Sequence, residues 1–377
     1  MSAASPRIGI IGTGAIGGFY GLMLARAGHD VHFLLRSEYA AVSEHGLRVN
    51  SAVHGPLLLE RAQIYRDAAQ MPPCDWLFVA AKSTSNQALA PVIVQAAAPG
   101  CKVVLLQNGL AVEDALRPLL PATVHLLGGL CAICAHRSAP GVVEHQALGG
   151  VNLGYHSGPA QGETQRLALV NEAVEMFAKA GVDSSAMPSL ERARWLKLVW
   201  NVPFNGLSAL LQAGTEALIA DADSRGQIKA IMQEVYAAAQ ARGHSLPEEL
   251  PEKLLLGTAR RGCRITCPAC ITTMRMGARW NSTPSMPRHW KRRRGRASRC
   301  PGPSCCIAHC ASSRAAVEAE RYDPFSFHSP AKLNLARRCG QPGQIARQEN
   351  EKGSIIWRCI VHIVIREIWQ AQRCLCL

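Results

Sequence analysis

An α/β fold followed by an all-helical domain is what this 377-residue sequence predicts, and three observations predict it. The apolar run Ile8, Ile10, Ile11 passes directly into Gly12-Thr13-Gly14-Ala15-Ile16-Gly17 and then into an apolar helical pattern from Phe19 to Ala27. Further short apolar runs, at Val31 to Leu35, Trp76 to Ala80 and Val103 to Leu106, read as buried strands of the same sheet. From Leu167 the spacing becomes helical, over Leu167 to Ala180 and again over Leu190 to Leu211.

Strand, glycine turn and helix in that order form a dinucleotide-binding fingerprint. Gly12 permits the tight turn, Gly14 leaves the backbone open to a pyrophosphate, and Gly17 lets the helix pack close to the strand. The helix N-terminus then offers its unpaired N–H groups and positive dipole to phosphates. A Rossmann-type domain is therefore expected, with Gly12, Thr13, Gly14, Ala15, Ile16 and Gly17 against the cofactor.

Gly28-His29-Asp30 turns the chain into the second strand, whose end selects the cofactor. An acidic residue there would accept from the ribose hydroxyls of NAD and repel a 2′-phosphate. Here Arg36 and Ser37 stand instead. A guanidinium with a hydroxyl beside it suits the extra phosphate of NADP better than it suits a merely solvated surface. The third strand runs into Ala81-Lys82-Ser83 and the fourth into Gln107-Asn108-Gly109. Both segments lie at the carboxyl ends of strands, where open α/β sheets bind ligands. Lys82 is either an exposed loop lysine or a ligand contact. Asn108 is either part of a turn or a contact for nicotinamide or substrate.

Leu126 to Cys134, Gly141 to Gln146 and Gly150 to Tyr155 read as three more strands. His136, Arg137 and His145 among them are read as structural. Cys131 and Cys134 have the spacing of a ligand pair, but no second pair lies nearby, and a strand would point them to opposite faces. No metal site is expected.

Val182 to Pro188 is read as a connector, dividing a first domain, 1–186, from a second, 187–262. In the second, Lys197, Asn201 and Asn205 recur every four residues and share one helix face. Pro203 perturbs that helix without having to end it. A lysine and two asparagines among Trp195, Leu196, Leu198, Val199, Trp200 and Phe204 call for a polar partner, which a bound substrate supplies. A lysine so placed can protonate and stabilise the alkoxide formed when a carbonyl is reduced.

Gly12 to Gly17, Arg36, Lys82, Leu106-Gln107-Asn108-Gly109 and the Trp195-Leu196-Lys197-Leu198…Asn201…Asn205 helix together resemble the ketopantoate reductase (2-dehydropantoate 2-reductase) family, over residues 7 to about 260. The resemblance implies NADPH-dependent reduction of 2-dehydropantoate to (R)-pantoate, in the pathway to pantothenate. It implies Lys197 as the catalytic acid, Asn201 and Asn205 as substrate or cofactor contacts, Asn108 as a further substrate contact, and Lys82 and Asn108 at the junction of cofactor and substrate. A related 2-oxo or 3-hydroxy acid is the alternative substrate.

Charge and cysteine divide the chain near residue 260. Residues 1–259 carry 19 Lys and Arg against 21 Asp and Glu, and the remainder carries 22 against 6. The net +14 therefore belongs to the tail and does not make the first part a nucleic-acid binder. Four cysteines, Cys74, Cys101, Cys131 and Cys134, precede residue 260 and eleven follow it. The scattered four suit a reducing compartment. With the first strand starting at Ile8, no secretory leader is expected, and no apolar run reaches the ~18–20 residues of a membrane span. The chain is accordingly expected to be cytoplasmic, to bind a small 2-oxo acid and neither nucleic acid nor membrane, and to act as monomer or homodimer.

The segment 263–377 departs from the family. One reading is a basic zinc module built on Cys267, Cys270 and the cluster Cys300, Cys305, Cys306, Cys310, with Lys291 to Arg294 facing nucleic acid. It lacks a second CxxC and any period that would build a core. The other reading is a frame shift. Trp has a single codon, so reading Arg279 to Gly295 one base out of frame, from a final A of the Arg279 codon, begins Met-Glu. It later gives Ala-Leu-Glu at His289-Trp290-Lys291, and with CGN arginine codons Arg292 to Arg294 become small residues, mostly Ala. That peptide is a good amphipathic helix and resembles the family segment that starts with the substrate-binding glutamate. On this reading 263–377 is aberrant and without a packed core. The second domain is then truncated, and the alternative to a working reductase is a defective paralogue. Resequencing the gene tests it.

Overall fold

The strand β1 (Arg7–Ile11) runs through a ten-stranded sheet and ends at the glycine turn. A computed structural model of the chain describes residues 5–260, all within one unit. The expectations for 263–377, including the cysteine clusters, the basic run and the shifted helix, lie outside the described residues.

After β1 come α1 (Ala15–Arg26), β2 (Asp30–Leu34), α2 (Tyr39–His45), β3 (Leu47–Ser51), β4 (Gly55–Leu59) and β5 (Gln63–Tyr65). Then follow β6 (Cys74–Val79), α3 (Asn86–Ala96), β7 (Ala97–Leu105), α4 (Val112–Leu116), β8 (His125–Ala139), β9 (Val142–Ser157), α5 (Gly162–Lys179) and β10 (Ser184–Ala186). Four helices complete the described chain: α6 (Leu190–Leu211), α7 (Thr215–Ala220), α8 (Ala222–Ala241) and α9 (Leu250–Arg260).

Six parallel strands form the centre in the order β8-β7-β6-β1-β2-β5. The chain first winds outward from β1 through β2 and β5, then returns to β6 and winds the other way. This is the doubly wound dinucleotide-binding order, with its switch point between β1 and β6. Beyond β8 the sheet becomes mixed: β9 is antiparallel to β8, β3 and β10 run parallel to β9, and β4 closes the edge.

The central strands bury both faces, which is why they read as unbroken apolar runs. Trp76, Phe78 and Val104 pack with Phe19, Tyr20 and Phe177 on one face. Their neighbours Leu77, Val79, Val103 and Leu105 pack with Ile93 and Leu116 on the other.

Several boundaries differ from the sequence expectation, each for a local reason. α1 begins at Ala15 rather than Phe19, because the helix starts inside the glycine fingerprint. The expected strands Gly141 to Gln146 and Gly150 to Tyr155 are one long strand, β9. Leu148 (φ 64) and Gly149 (φ 123) take up a register shift there without ending the pairing. The connector Val182 to Pro188 contains β10, whose three residues pair with β9 but are too few to show alternation.

α6 spans Leu190 to Leu211, as its apolar spacing predicts. Ser189 caps it by accepting from Arg192 N–H at 3.2 Å. Pro203 is buried inside it, and the helix continues past. Val199, Phe204 and Leu207 are buried, and the Trp200 indole donates to Thr258 Oγ1 at 3.0 Å, tying α6 to α9.

Candidate active site

The turn after β1 has the geometry its glycines imply. Gly12 has φ 90, and a Cβ on it would stand 2.5 Å from Ala81 N, at the end of β6. Gly17 has no room for a side chain, because a Cβ would run into Gly12 O. Gly14 is the opposite case: nothing lies within 4 Å of where its Cβ would be. It also caps α1 with no side-chain hydrogen bond. Thr13 Oγ1 is buried and has no hydrogen-bond partner among the described residues. Ala15 and Ile16 open the helix, half-buried. Open space beside a backbone turn, an uncapped helix N-terminus and an orphaned hydroxyl fit a dinucleotide pyrophosphate.

Arg36 lies exposed just beyond β2, with no acidic residue between them. The nearest acid in sequence, Glu38, is buried and engaged: it accepts from Ser37 Oγ at 2.8 Å and from Gly141 N–H at 2.9 Å, and it pairs with Arg137. Ser37 thus spends its hydroxyl on Glu38, a bond the sequence did not signal. Lys82 is exposed just beyond β6, ahead of a single 3-10 turn, Ser83–Ser85.

Asn108 and Lys197 meet. Lys197 Nζ, on α6, donates to Asn108 Oδ1 at 2.8 Å and to Cys131 O, in β8, at 2.7 Å. Burial pushes the Lys197 ammonium below the ordinary lysine range; Cys131 opposes that shift and Arg194 adds to it. Asn201 and Asn205 follow Lys197 along α6, both half-buried. Neither side chain enters a hydrogen bond found among the described residues. The structure therefore brings Lys197 to Asn108 directly and keeps Asn201 and Asn205 on the same helix without joining them to that pair.

Two supports escaped the sequence reading. Asn86 and Gln107 exchange reciprocal amide hydrogen bonds of 3.0 and 2.7 Å, and Gln107 Nε2 also donates to Ala81 O at 2.8 Å. This buried lock joins the Lys82 loop to the Asn108 loop. Arg194, one turn before Lys197, is buried and pairs with buried Glu113. A charged residue inside an apolar helix is the signal that marks Arg194; nothing in sequence spacing points to Glu113.

Comparison with known proteins gives the family of the chain. The family model "Ketopantoate reductase PanE/ApbA" matches residues 8–158, and its C-terminal companion matches 189–294, past the residue-260 limit of the resemblance. A 2-dehydropantoate 2-reductase from Nostoc sp. is 39% identical over 248 residues, covering 65% of this chain and 76% of that protein. The chain belongs to the ketopantoate reductase family. The crystal structure of 2-dehydropantoate 2-reductase from Geobacter metallireducens has a TM-score of 0.67 at 36% identity, covering 73% of this chain and 88% of its own. The enzyme from Methylococcus capsulatus gives 0.63 at 33% identity, covering 72% and 85%. Ketopantoate reductases are dinucleotide-dependent oxidoreductases, and the mixed α/β domain followed by helices is their fold. Among the described residues no helix is long and apolar enough to cross a membrane.

Proposed function

We propose that this chain reduces 2-dehydropantoate to (R)-pantoate with NADPH, and that Lys197 is the general acid. The observation that carries the proposal is Lys197 Nζ, half-buried between Asn108 Oδ1 and Cys131 O where β7 ends. The reduced nicotinamide, when bound, supplies hydride to the 2-oxo carbon. Lys197 donates its proton to the oxygen that becomes the hydroxyl, and its charge stabilises that oxygen as negative charge develops. Asn108 accepts one Nζ hydrogen and Cys131 O a second, which leaves the third directed at substrate. Asn201 and Asn205 hold the substrate's hydroxyl and carboxylate in register. Arg36 and Lys82 serve NADP, Arg36 at the 2′-phosphate. The substrate is a free small molecule of pantothenate biosynthesis in the cytoplasm, and the enzyme works as a monomer or homodimer.

The test is NADPH oxidation by the purified full chain, followed with 2-dehydropantoate and with 2-oxo acids lacking its hydroxyl. Preferential turnover of 2-dehydropantoate supports the proposal. Faster turnover of a simpler 2-oxo acid would reassign the substrate.

A further inference from the structure

Arg194 is only 4% exposed, and its acidic partner Glu113 only 2%. Its bonds are distributed in a particular way. Nη1 donates to Gln107 O and to Gly109 O, each at 3.0 Å, and Nη2 pairs with the Glu113 carboxylate. The two carbonyls flank Asn108 on either side, and Glu113 stands in the first turn of α4, just after the same segment. The turn needs such a clamp. Gly109 (φ 127) and Ala111 (φ 53) both adopt left-handed backbone, so no regular ladder holds the segment. Glu113 is confined in turn, since a Cβ on Gly128 would stand 2.5 Å from its Oε1. Arg194 lies three residues before Lys197 on α6 and shares its face.

We propose that Arg194, with Glu113, is a positioning residue for the site: it clamps the Gln107-Asn108-Gly109 turn against α6, so that Asn108 Oδ1 stays on Lys197 Nζ. This rests on the reading of Lys197 as the acid. The planar fork is essential to the role, because a lysine ammonium keeps the charge but lacks the geometry to reach two carbonyls and a carboxylate at once.

The test reads Lys197 itself and does not require turnover. Competitive labelling of the full chain with acetic anhydride across a pH series, followed by peptide mass spectrometry, gives the titration midpoint of Lys197. Removing Asn108 Oδ1 takes a hydrogen bond from the ammonium, so Asn108→Ala is expected to lower that midpoint by about one pH unit. Arg194→Lys, which leaves the net charge unchanged, is expected to lower it comparably. The double variant is expected to fall no further than Asn108→Ala alone, because both changes remove the same bond. Thermal melts confirm that each variant is folded. Should Arg194→Lys fail to fold, Glu113→Asp withdraws the carboxylate at constant charge and is expected to shift Lys197 in the same direction. An unmoved Lys197 midpoint in a folded Arg194→Lys or Glu113→Asp protein would overturn the proposal, and so would shifts that simply add. Absence of reductase turnover in the unsubstituted chain would instead count against the proposed function and leave this measurement standing.

Discussion

Lys197 Nζ lies 2.8 Å from Asn108 Oδ1, although 89 positions separate the two residues in sequence. One comes from the helical domain and the other from the carboxyl end of a central strand. Their hydrogen bond therefore places the proposed acid where the sheet presents its ligands. Asn108→Ala is expected to cost about 10- to 100-fold in kcat/KM, the range for losing a hydrogen bond to a charged group. The pH profile supplies a second readout. Lys197 works as its ammonium, so the rate falls as pH rises through its pKa. Burial lowers that pKa, so the basic limb comes at lower pH than for an exposed lysine. Asn108→Ala moves the limb lower still.

The fingerprint glycines separate cofactor binding from folding. Gly14 has open space at its Cβ position, whereas Gly17 faces Gly12 O. Gly14→Ala is expected to melt within a few degrees of the parent and to bind NADPH at least ~10-fold more weakly, because its methyl occupies the approach of the pyrophosphate. Gly17→Ala is expected to lower the melting temperature markedly, because helix and turn must separate. Paired thermal melts and fluorescence titrations check both.

Arg36 is the specificity prediction. Arg36→Ala is expected to weaken NADPH about 10- to 100-fold, the effect of losing a charge-assisted contact, and to leave NADH nearly unchanged. Equal losses for both cofactors would move the 2′-phosphate contact elsewhere.

The fold and the site were legible in the sequence to different degrees. Ile8, Trp76 and Val103 announce buried strands because burial on both faces leaves no polar residue to obscure the run. α6 was readable to its ends because its apolar spacing continues through Pro203. β3, β4, β5 and β10 were not assigned: β5 and β10 are only three residues long, and in β3 the buried Leu47 and Val49 alternate with Arg48 and Asn50, so no unbroken apolar run marks the strand. Candidate residues for the site could be named from the sequence, but the side chains that pack around them could not. Glu113 acquires meaning only when the fold brings Arg194 to it, 81 positions away, and Asn86 only opposite Gln107. Such partnerships are made by tertiary packing and leave no local pattern.

Acid is expected to loosen the first domain through histidines held neutral. Burial lowers the pKa of His145, which accepts from Ser51 Oγ at 2.8 Å and meets the carbonyls of Ala147 and Leu148 through its other nitrogen. His29 and His125 are lowered too, both chiefly by burial. The unfolded chain, with histidine near 6.5, then binds more protons than the folded one, so stability rises with pH up to about 6.5 and is lost as pH falls below it. Urea midpoints measured between pH 5 and 8 check the slope, and His145→Gln is expected to flatten it.

NADPH oxidation with 2-dehydropantoate, measured for the full chain beside Lys197→Ala, tests the central claim most directly. We expect turnover in the parent and a kcat about 100- to 10,000-fold lower in Lys197→Ala, with NADPH affinity retained. Equal turnover in the two proteins, or a parent that binds NADPH and does not oxidise it, would contradict the assignment of Lys197 as the acid of a working reductase.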